Sequence, residues 1–242
     1  MGYRSVRYRK QLEVAGDLCT PTNIEDAIKK VKQMASLDVS RTYKNGKKRK
    51  KVSQTVNLVL NLGIDPRQAD QLIRGATSLP KGIGKSRRVV AFCDGADAEA
   101  AKKAGAVDAG VDELIQKIEK GWTEFDVAVA HPSMMGKVGR LGRVLGPQGK
   151  MPSPKAGTVT PDVVTAVREF TAGRLEFRND AGGNVHLPVG KTDFAEADLK
   201  ENIEAVISQI TRLKPPTAKG QYLKRVCLAG AQTPGITIQP GV

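Results

Sequence analysis

Two hydrophobic rhythms alternate along this chain. Ile24, Ala27, Ile28, Val31, Met34 and Ala35 recur every three or four residues, which predicts a helix ending near Leu37. Thr22-Asn-Ile-Glu25 in front of it has the form of a capping box, in which Thr22 and Glu25 satisfy each other's exposed amides. From Thr55 to Ile64 the period drops to two. Val56, Leu58, Leu60 and Leu62 alternate with Asn57, Val59 and Asn61, the pattern of a half-buried strand.

From about Arg88 the style changes. Val89–Phe92 is a short apolar run, Ala96–Gly105 is Ala-rich and helical, and Ala106–Ala109 reads as a weak strand. Val111, Leu114, Ile115 and Ile118 mark a helix that ends at Gly121. Phe125–Ala130 is a second buried strand, followed by a helix across Ser133–Leu145. Strands alternating with helices predict a parallel sheet with crossover helices. Gly/Pro-rich segments flank the block: Gly75–Gly84 before it and Gly146–Gly157 after it.

Beyond the block, Thr160 is placed to cap a helix with Pro161 at its first position, carrying Val163, Val164, Val167 and Phe170. Leu175–Arg178 and Val185–Val189 read as a hairpin around Asp180-Ala-Gly-Gly183. A long amphipathic helix follows through Leu199, Ile203, Val206, Ile207, Ile210 and Leu213, and Tyr222–Leu228 and Ile236–Ile238 close the fold as strands. The expected class is α/β in two parts. Residues 1–69 and 159–242 form a discontinuous α+β outer domain with an antiparallel sheet. Residues 70–158 form an inserted Rossmann-like α/β domain with a parallel sheet, hung on hinges at Gly75, Pro80, Gly82 and Gly84 and at Gly146, Gly149, Pro154 and Gly157.

Charge then narrows the function. The chain has 242 residues, with 39 Lys and Arg against 25 Asp and Glu, net +14. Such an excess points to an anionic partner, a nucleic acid or a membrane surface. Residues 1–69 carry +9, residues 159–242 carry +1 and the insert +4, so the outer domain is the better nucleic-acid candidate. Seven of the cations, with no acid among them, lie between Arg41 and Lys51: Arg41, Lys44, Lys47, Lys48, Arg49, Lys50 and Lys51. Clustered Lys and Arg are what counterion release rewards, and a plain solubilising loop is the competing reading. Arg4, Arg7, Arg9 and Lys10 form a smaller basic group with no apolar core behind it, which argues against a secretory signal. The longest uncharged stretch, Val226–Val242, contains Pro234 and Pro240 and is no membrane span.

Catalytic chemistry finds little support. Gly84-Lys85-Ser86 suggests a phosphate loop, but Leu79 stands where that motif needs glycine, and the segment precedes a strand. Gly136, Gly139 and Gly142 are explained by close helix packing or by backbone approach to RNA, with Lys137, Arg140 and Arg143 alongside. Cys19, Cys93 and Cys227 form neither a disulfide framework nor a zinc motif, so a reducing cytoplasm is the default. His131 and His186 are isolated, and no metal, cofactor or small-molecule substrate is expected. Aromatic residues are 4% of the chain, so base stacking has little material, and recognition should run through phosphates, 2′-hydroxyls and RNA shape.

Four ordered segments carry a resemblance. They are Leu62–Arg67, Arg74–Lys85, Leu145–Thr158 (Leu-Gly-Pro-Gln-Gly-Lys-Met-Pro-Ser-Pro-Lys-Ala-Gly-Thr) and Glu176-Phe-Arg-Asn-Asp180. With them the chain resembles the family of the first protein of the large ribosomal subunit, in its bacterial form, from about Ile24 to Pro240. The resemblance implies a first domain that binds large-subunit rRNA at a mobile stalk, a role in releasing exit-site tRNA, and repression of its own mRNA. It implies a cytoplasmic, ribosome-bound protein that is neither an enzyme nor a homo-oligomer. Carried over by position, the RNA surface includes Lys51, Thr55, Glu176, Phe177, Arg178, Asn179, Asp180 and His186. Lys224, Arg225, Pro234 and Gly235 join it, with the basic cluster Lys44, Lys47, Lys48, Arg49 and Lys50. Phe177 fits a core aromatic equally well, and Asp180 fits a turn residue.

Two departures stand out. Val52 replaces the family's usual Phe, and Ala231-Gln-Thr-Pro-Gly235 replaces Thr-Met-Gly-Pro-Gly. The Arg41–Lys51 run reads as an addition to the family pattern, able to offset lost contacts. A stand-alone RNA-binding repressor and a small nucleotide-dependent α/β enzyme are the alternative functions.

Overall fold

A computed structural model describes residues 5–37, 53–154, 157–218 and 220–239. The basic run Arg41–Lys51, with Lys44, Lys47, Lys48, Arg49, Lys50 and Lys51, lies outside the described residues. In chain order the elements begin with helices α1 (Val6–Ala15) and α2 (Ile24–Ser36) and strands β1 (Thr55–Leu62), β2 (Arg74–Ser78) and β3 (Val89–Phe92). Helix α3 (Ala96–Lys103), strand β4 (Asp108–Ala109), helix α4 (Asp112–Glu119) and strand β5 (Val127–Ala130) follow. Next come the helical turns α5 (Met135–Val138) and α6 (Gly142–Leu145), helix α7 (Val163–Ala172), and strands β6 (Arg174–Arg178) and β7 (Asn184–Lys191). Helix α8 (Glu196–Arg212) and strands β8 (Leu223–Gly230) and β9 (Ile236–Ile238) complete the fold.

The chain divides into two compact units. The first comprises Met1–Ile73, Leu79–Gly84 and Arg178–Val242; the second comprises Arg74–Ser78 and Lys85–Phe177. In the first, β7-β1-β8-β9 form an antiparallel sheet. Strand β1 is buried at every second residue, Val56, Leu58, Leu60 and Leu62, as its period-two pattern requires. Those side chains lie in register with Leu187 and Val185 on β7 and with Leu228 and Val226 on β8. Helices α2 and α8 cover this face with Ile28, Val31, Met34, Leu199, Ile203 and Val206. The opposite face carries Thr55, Asn57, Val59 and Asn61.

In the second unit β4-β3-β5 form a parallel sheet. Every residue of β3 and β5 is buried. Val89, Ala91, Val127 and Val129 pack against Ala101 of α3 and Val163, Ala166, Val167 and Phe170 of α7. Val90, Phe92, Ala128 and Ala130 pack the other way, against Leu114 and Ile118 of α4 and Val138, Leu141 and Leu145. Both faces are therefore core, as parallel sheets require.

The structure corrects several expectations. The capping box does not form: Asn23 is the N-cap of α2, Thr22 donates its hydroxyl to Thr237 O at 3.1 Å, and Glu25 pairs with Lys200 at 2.7 Å. The cap of α7 is Asp162, not Thr160, because its carboxylate reaches the Thr165 amide at 3.1 Å. Helix α7 belongs with the parallel sheet although it follows residue 158, because its apolar stripe meets β3 and β5. The expected hairpin is a turn between strands of different sheets. β6 pairs with β2, β7 pairs with β1, and only Asn179 and Val185 bridge them. Ser133–Leu145 is broken into short turns, since interior glycines at 136, 139 and 142 each weaken a helix by about 1 kcal/mol.

The hinge segments are also differently built. Gly75 lies in β2. Leu79–Gly84, with Pro80, Gly82 and Gly84, is fastened within the first unit by the fully buried Asn202. Asn202 accepts from Lys81 N–H at 3.1 Å and donates to Gly82 O at 3.1 Å and Val189 O at 2.8 Å. Gly84 has φ 77°, and a Cβ there would fall 2.6 Å from the Phe194 ring, so only glycine fits. Gly146, Gly149, Pro154 and Gly157 lie inside the second unit, while the chain passes between units beside residues 73, 78, 84 and 177.

Candidate nucleic-acid interface

The uncovered face of the antiparallel sheet gathers several candidate residues. Register places His186, Val59 and Cys227 in one row across β7, β1 and β8; Thr237 on β9 continues the row but is buried, its hydroxyl donating to Leu18 O at 2.8 Å. Asn184, Asn61 and Arg225 form the next row, and Pro188, Asn57 and Ala229 the row on the other side. Thr55 stands opposite Lys191 at the far end. No residue in these rows is acidic, and none is Phe, Tyr or Trp. The central side chains are short, so a polyanion can approach the backbone closely, with amides and Arg225 as partners for phosphate and 2′-hydroxyl groups.

At the rim, a polar chain organises the turn before β7. Asn61 Nδ2 donates to Asn184 Oδ1 at 2.7 Å, and the Asn184 amide donates to Asp180 Oδ1 at 2.7 Å. The Asp180 carboxylate also accepts from Gly182 N–H at 2.9 Å, and its Oδ2 stands 3.5 Å from His186 Nε2. These donors, the Asn184 backbone amide first among them, hold the Asp180 carboxyl below the usual carboxylate range. Asp180 is thus a turn-maker whose lone pairs are largely spent within the protein.

Asn179 is likewise committed. Its backbone amide donates to Ile73 O at 3.1 Å, its Oδ1 accepts from Ile73 N–H at 2.9 Å, and its Nδ2 donates to Asp180 O at 3.1 Å. Phe177 is buried at 3% exposure, as the core reading had it. Glu176 lies in the second unit, where its charge acts on Arg87. Arg178, His186, Lys224 and Arg225 are exposed. Pro234 is buried beside the exposed Gly235, immediately before β9.

Sequence reasoning missed Asn57, Asn61 and Asn184 as members of this face. The first two occupy the polar positions of β1, so the alternation itself carried the signal, whereas Asn184 needed the pairing register. In the second unit, Lys137, Arg140 and Arg143 are exposed beside Gly136, Gly139 and Gly142. A Cβ added at any of the three glycines would meet nothing within 4 Å, so close packing does not explain them.

The enzyme-like features resolve into local structure. Gly84-Lys85-Ser86 runs toward β3 with no helix after it, so it lacks the helix N-terminus that a phosphate loop needs. His131 Nδ1 accepts from Ser133 N–H at 3.3 Å and caps a single turn. Cys93 is buried, and burial pushes its thiol pKa up, away from the reactive thiolate. Among the described residues no three metal-type ligands cluster, and no helix is long and apolar enough to cross a membrane.

Comparison with known proteins agrees with the resemblance. The Ribosomal protein L1p/L10e family model matches residues 41–234, a span that includes the basic run. A protein of Kosmotoga olearia named "Large ribosomal subunit protein uL1" is 46% identical over 238 residues, 98% of this chain and 97% of that one. Proteins of the same name from Nocardioides sp. and Acidothermus cellulolyticus are 48% and 52% identical, over 86% and 78% of this chain and 85% and 80% of their own lengths.

Proposed function

The chain belongs to the ribosomal protein L1p/L10e family, and from that premise we propose that it is a non-enzymatic structural constituent of the large ribosomal subunit that binds large-subunit rRNA through the open face of its antiparallel sheet. The carrying observation is that this face is free of acids along its rows, short in its central side chains, and carries the exposed Arg225 and His186 within those rows. Thr55 lies at one end, Asn179 and Asp180 shape the rim, and Lys44–Lys51 adds phosphate-binding charge. The protein resides on cytoplasmic ribosomes. In the same reading it assists release of exit-site tRNA, with hinges at the chain crossings beside Gly75 and Gly84, and represses its own mRNA by binding a similar RNA shape.

The test is co-sedimentation of the chain with large subunits, followed by binding of isolated large-subunit rRNA across a salt series. The expected result is stoichiometric presence in the large-subunit peak and affinity that falls steeply with salt. Exclusion from that peak, or equal affinity for unrelated RNA, would overturn the proposal.

A further inference from the structure

We infer that helix α1 is a positioning element for the Ala231–Gly235 loop, with Arg7 and Gln11 fixing Gln232 at the edge of the RNA-binding face. The effect on RNA rests on the function proposed above; the clasp itself does not.

Helix α1 has ten residues, below the roughly 12–15 at which an isolated helix becomes even marginally stable. Gln11 and Ala15 are its buried residues, so little apolar packing holds it. Polar bonds do so instead. Gln11, 1% exposed, donates Nε2 to Met34 O of α2 at 3.2 Å and to Gln232 O at 3.0 Å. One turn earlier, the Arg7 guanidinium donates to Gln232 Oε1. Arg7 Nε is sequestered from solvent without a hydrogen-bond partner, so this side chain lies against the protein rather than reaching outward.

Gln232 is the hub. Its amide donates to Gln54 Oε1 at 3.2 Å, and the neighbouring Ala231 amide donates to Thr55 O at 2.9 Å. The loop closes on itself where Gly230 N–H donates to Thr233 Oγ1 at 2.8 Å. The backbone amide of Gln232 is therefore held by Gln54, the residue before β1, and its backbone carbonyl and side chain are held by α1. The side-chain anchor needs a strong oxygen acceptor, which the Gln232 amide supplies and a thioether of similar length would not. The clasp thus rests on Arg7 and Gln232, and α1 acts on RNA through the loop rather than by contact.

The experiment compares wild type, Arg7→Ala, Gln232→Met and the double variant, reading amide hydrogen exchange of the free full-length protein and binding to isolated large-subunit rRNA at several salt concentrations. Arg7→Ala is expected to speed exchange at Ala231 and Gln232 about three- to tenfold while Leu58 and Leu60 stay unchanged. It should weaken RNA binding by a similar factor with the salt slope unchanged. In the Gln232→Met background, Arg7→Ala should add less than about a twofold effect to either readout. Unaltered exchange at Ala231 and Gln232 in Arg7→Ala would overturn the clasp. So would an RNA loss that persists in the Gln232→Met background with a shallower salt slope, the mark of a direct phosphate contact. If wild type fails to bind the rRNA, the proposed function falls, and the exchange data still decide the clasp.

Discussion

The four-stranded antiparallel sheet and the three-stranded parallel sheet use the same residue types for opposite ends. In β1 every second side chain is buried, and the others face away from α2 and α8; in β3 and β5 every side chain is buried. The antiparallel sheet can leave one face open because its strands are joined without helices crossing that face. The parallel sheet must route α3, α4 and α7 over its strands, so both of its faces become core. Recognition is therefore available to the first sheet as a surface and to the second only through its surrounding loops and helices.

The largest expected effect tests this contrast on stability. Phe92 is fully buried on one face of the parallel sheet, and Phe92→Ala should cost about 3–5 kcal/mol in urea unfolding of that unit. Val59, equally central in its own sheet but on the open face, should lose about 0.5 kcal/mol or less as Val59→Ala. Comparable losses at both positions would mean that something covers the open face.

A smaller effect tests the contrast on binding. Arg225→Ala, on the open face, should weaken rRNA binding and reduce the slope of log affinity against log salt by about 1, with stability unchanged. Arg143→Ala, on the second unit, should change the slope less if the sheet face dominates recognition. An equal or larger change at Arg143 would move the principal interface to the glycine-flanked turns.

What could be read from the sequence follows the same division. Period-two and period-three-to-four patterns gave β1, α2, α8 and the parallel block, because burial on one side writes itself into the spacing of Leu, Ile and Val. Partner choice was not legible. Leu175–Arg178 and Val185–Val189 look like a hairpin locally, yet β6 joins β2 from a hundred residues earlier, a decision made by tertiary packing. The caps failed for a related reason: Thr22 and Glu25 satisfy the capping pattern, but Thr237 and Lys200 compete for them. Helix α1 was missed because its anchors are polar, Gln11 and Arg7, and write no hydrophobic period. Among the candidate site residues, Arg225 and His186 lie exposed on the open face, while the Asn179 side chain is bonded to Ile73 and Phe177 lies in the core.

The smallest effect concerns the rim. Asp180 has its folded pKa depressed from an ordinary 3.8, chiefly by the Asn184 backbone amide, then by the Asn184 side chain and by Gly182 and His186. A depressed folded value means that the carboxylate contributes stability at pH above 3.8, and that this contribution is lost as pH falls through the lower folded value. Asp180→Asn keeps a side-chain oxygen that can accept from the same amides, and the site is exposed to solvent, so the loss at pH 7 should be a small decrease in the urea midpoint. The two proteins should converge as pH drops below the carboxylate range. A midpoint difference that persists unchanged at pH 3 would show that shape rather than charge holds the turn. A fall in rRNA affinity with no change in midpoint would instead make Asp180 a direct RNA partner, extending the recognition face past the last row of β7 into the turn that precedes it.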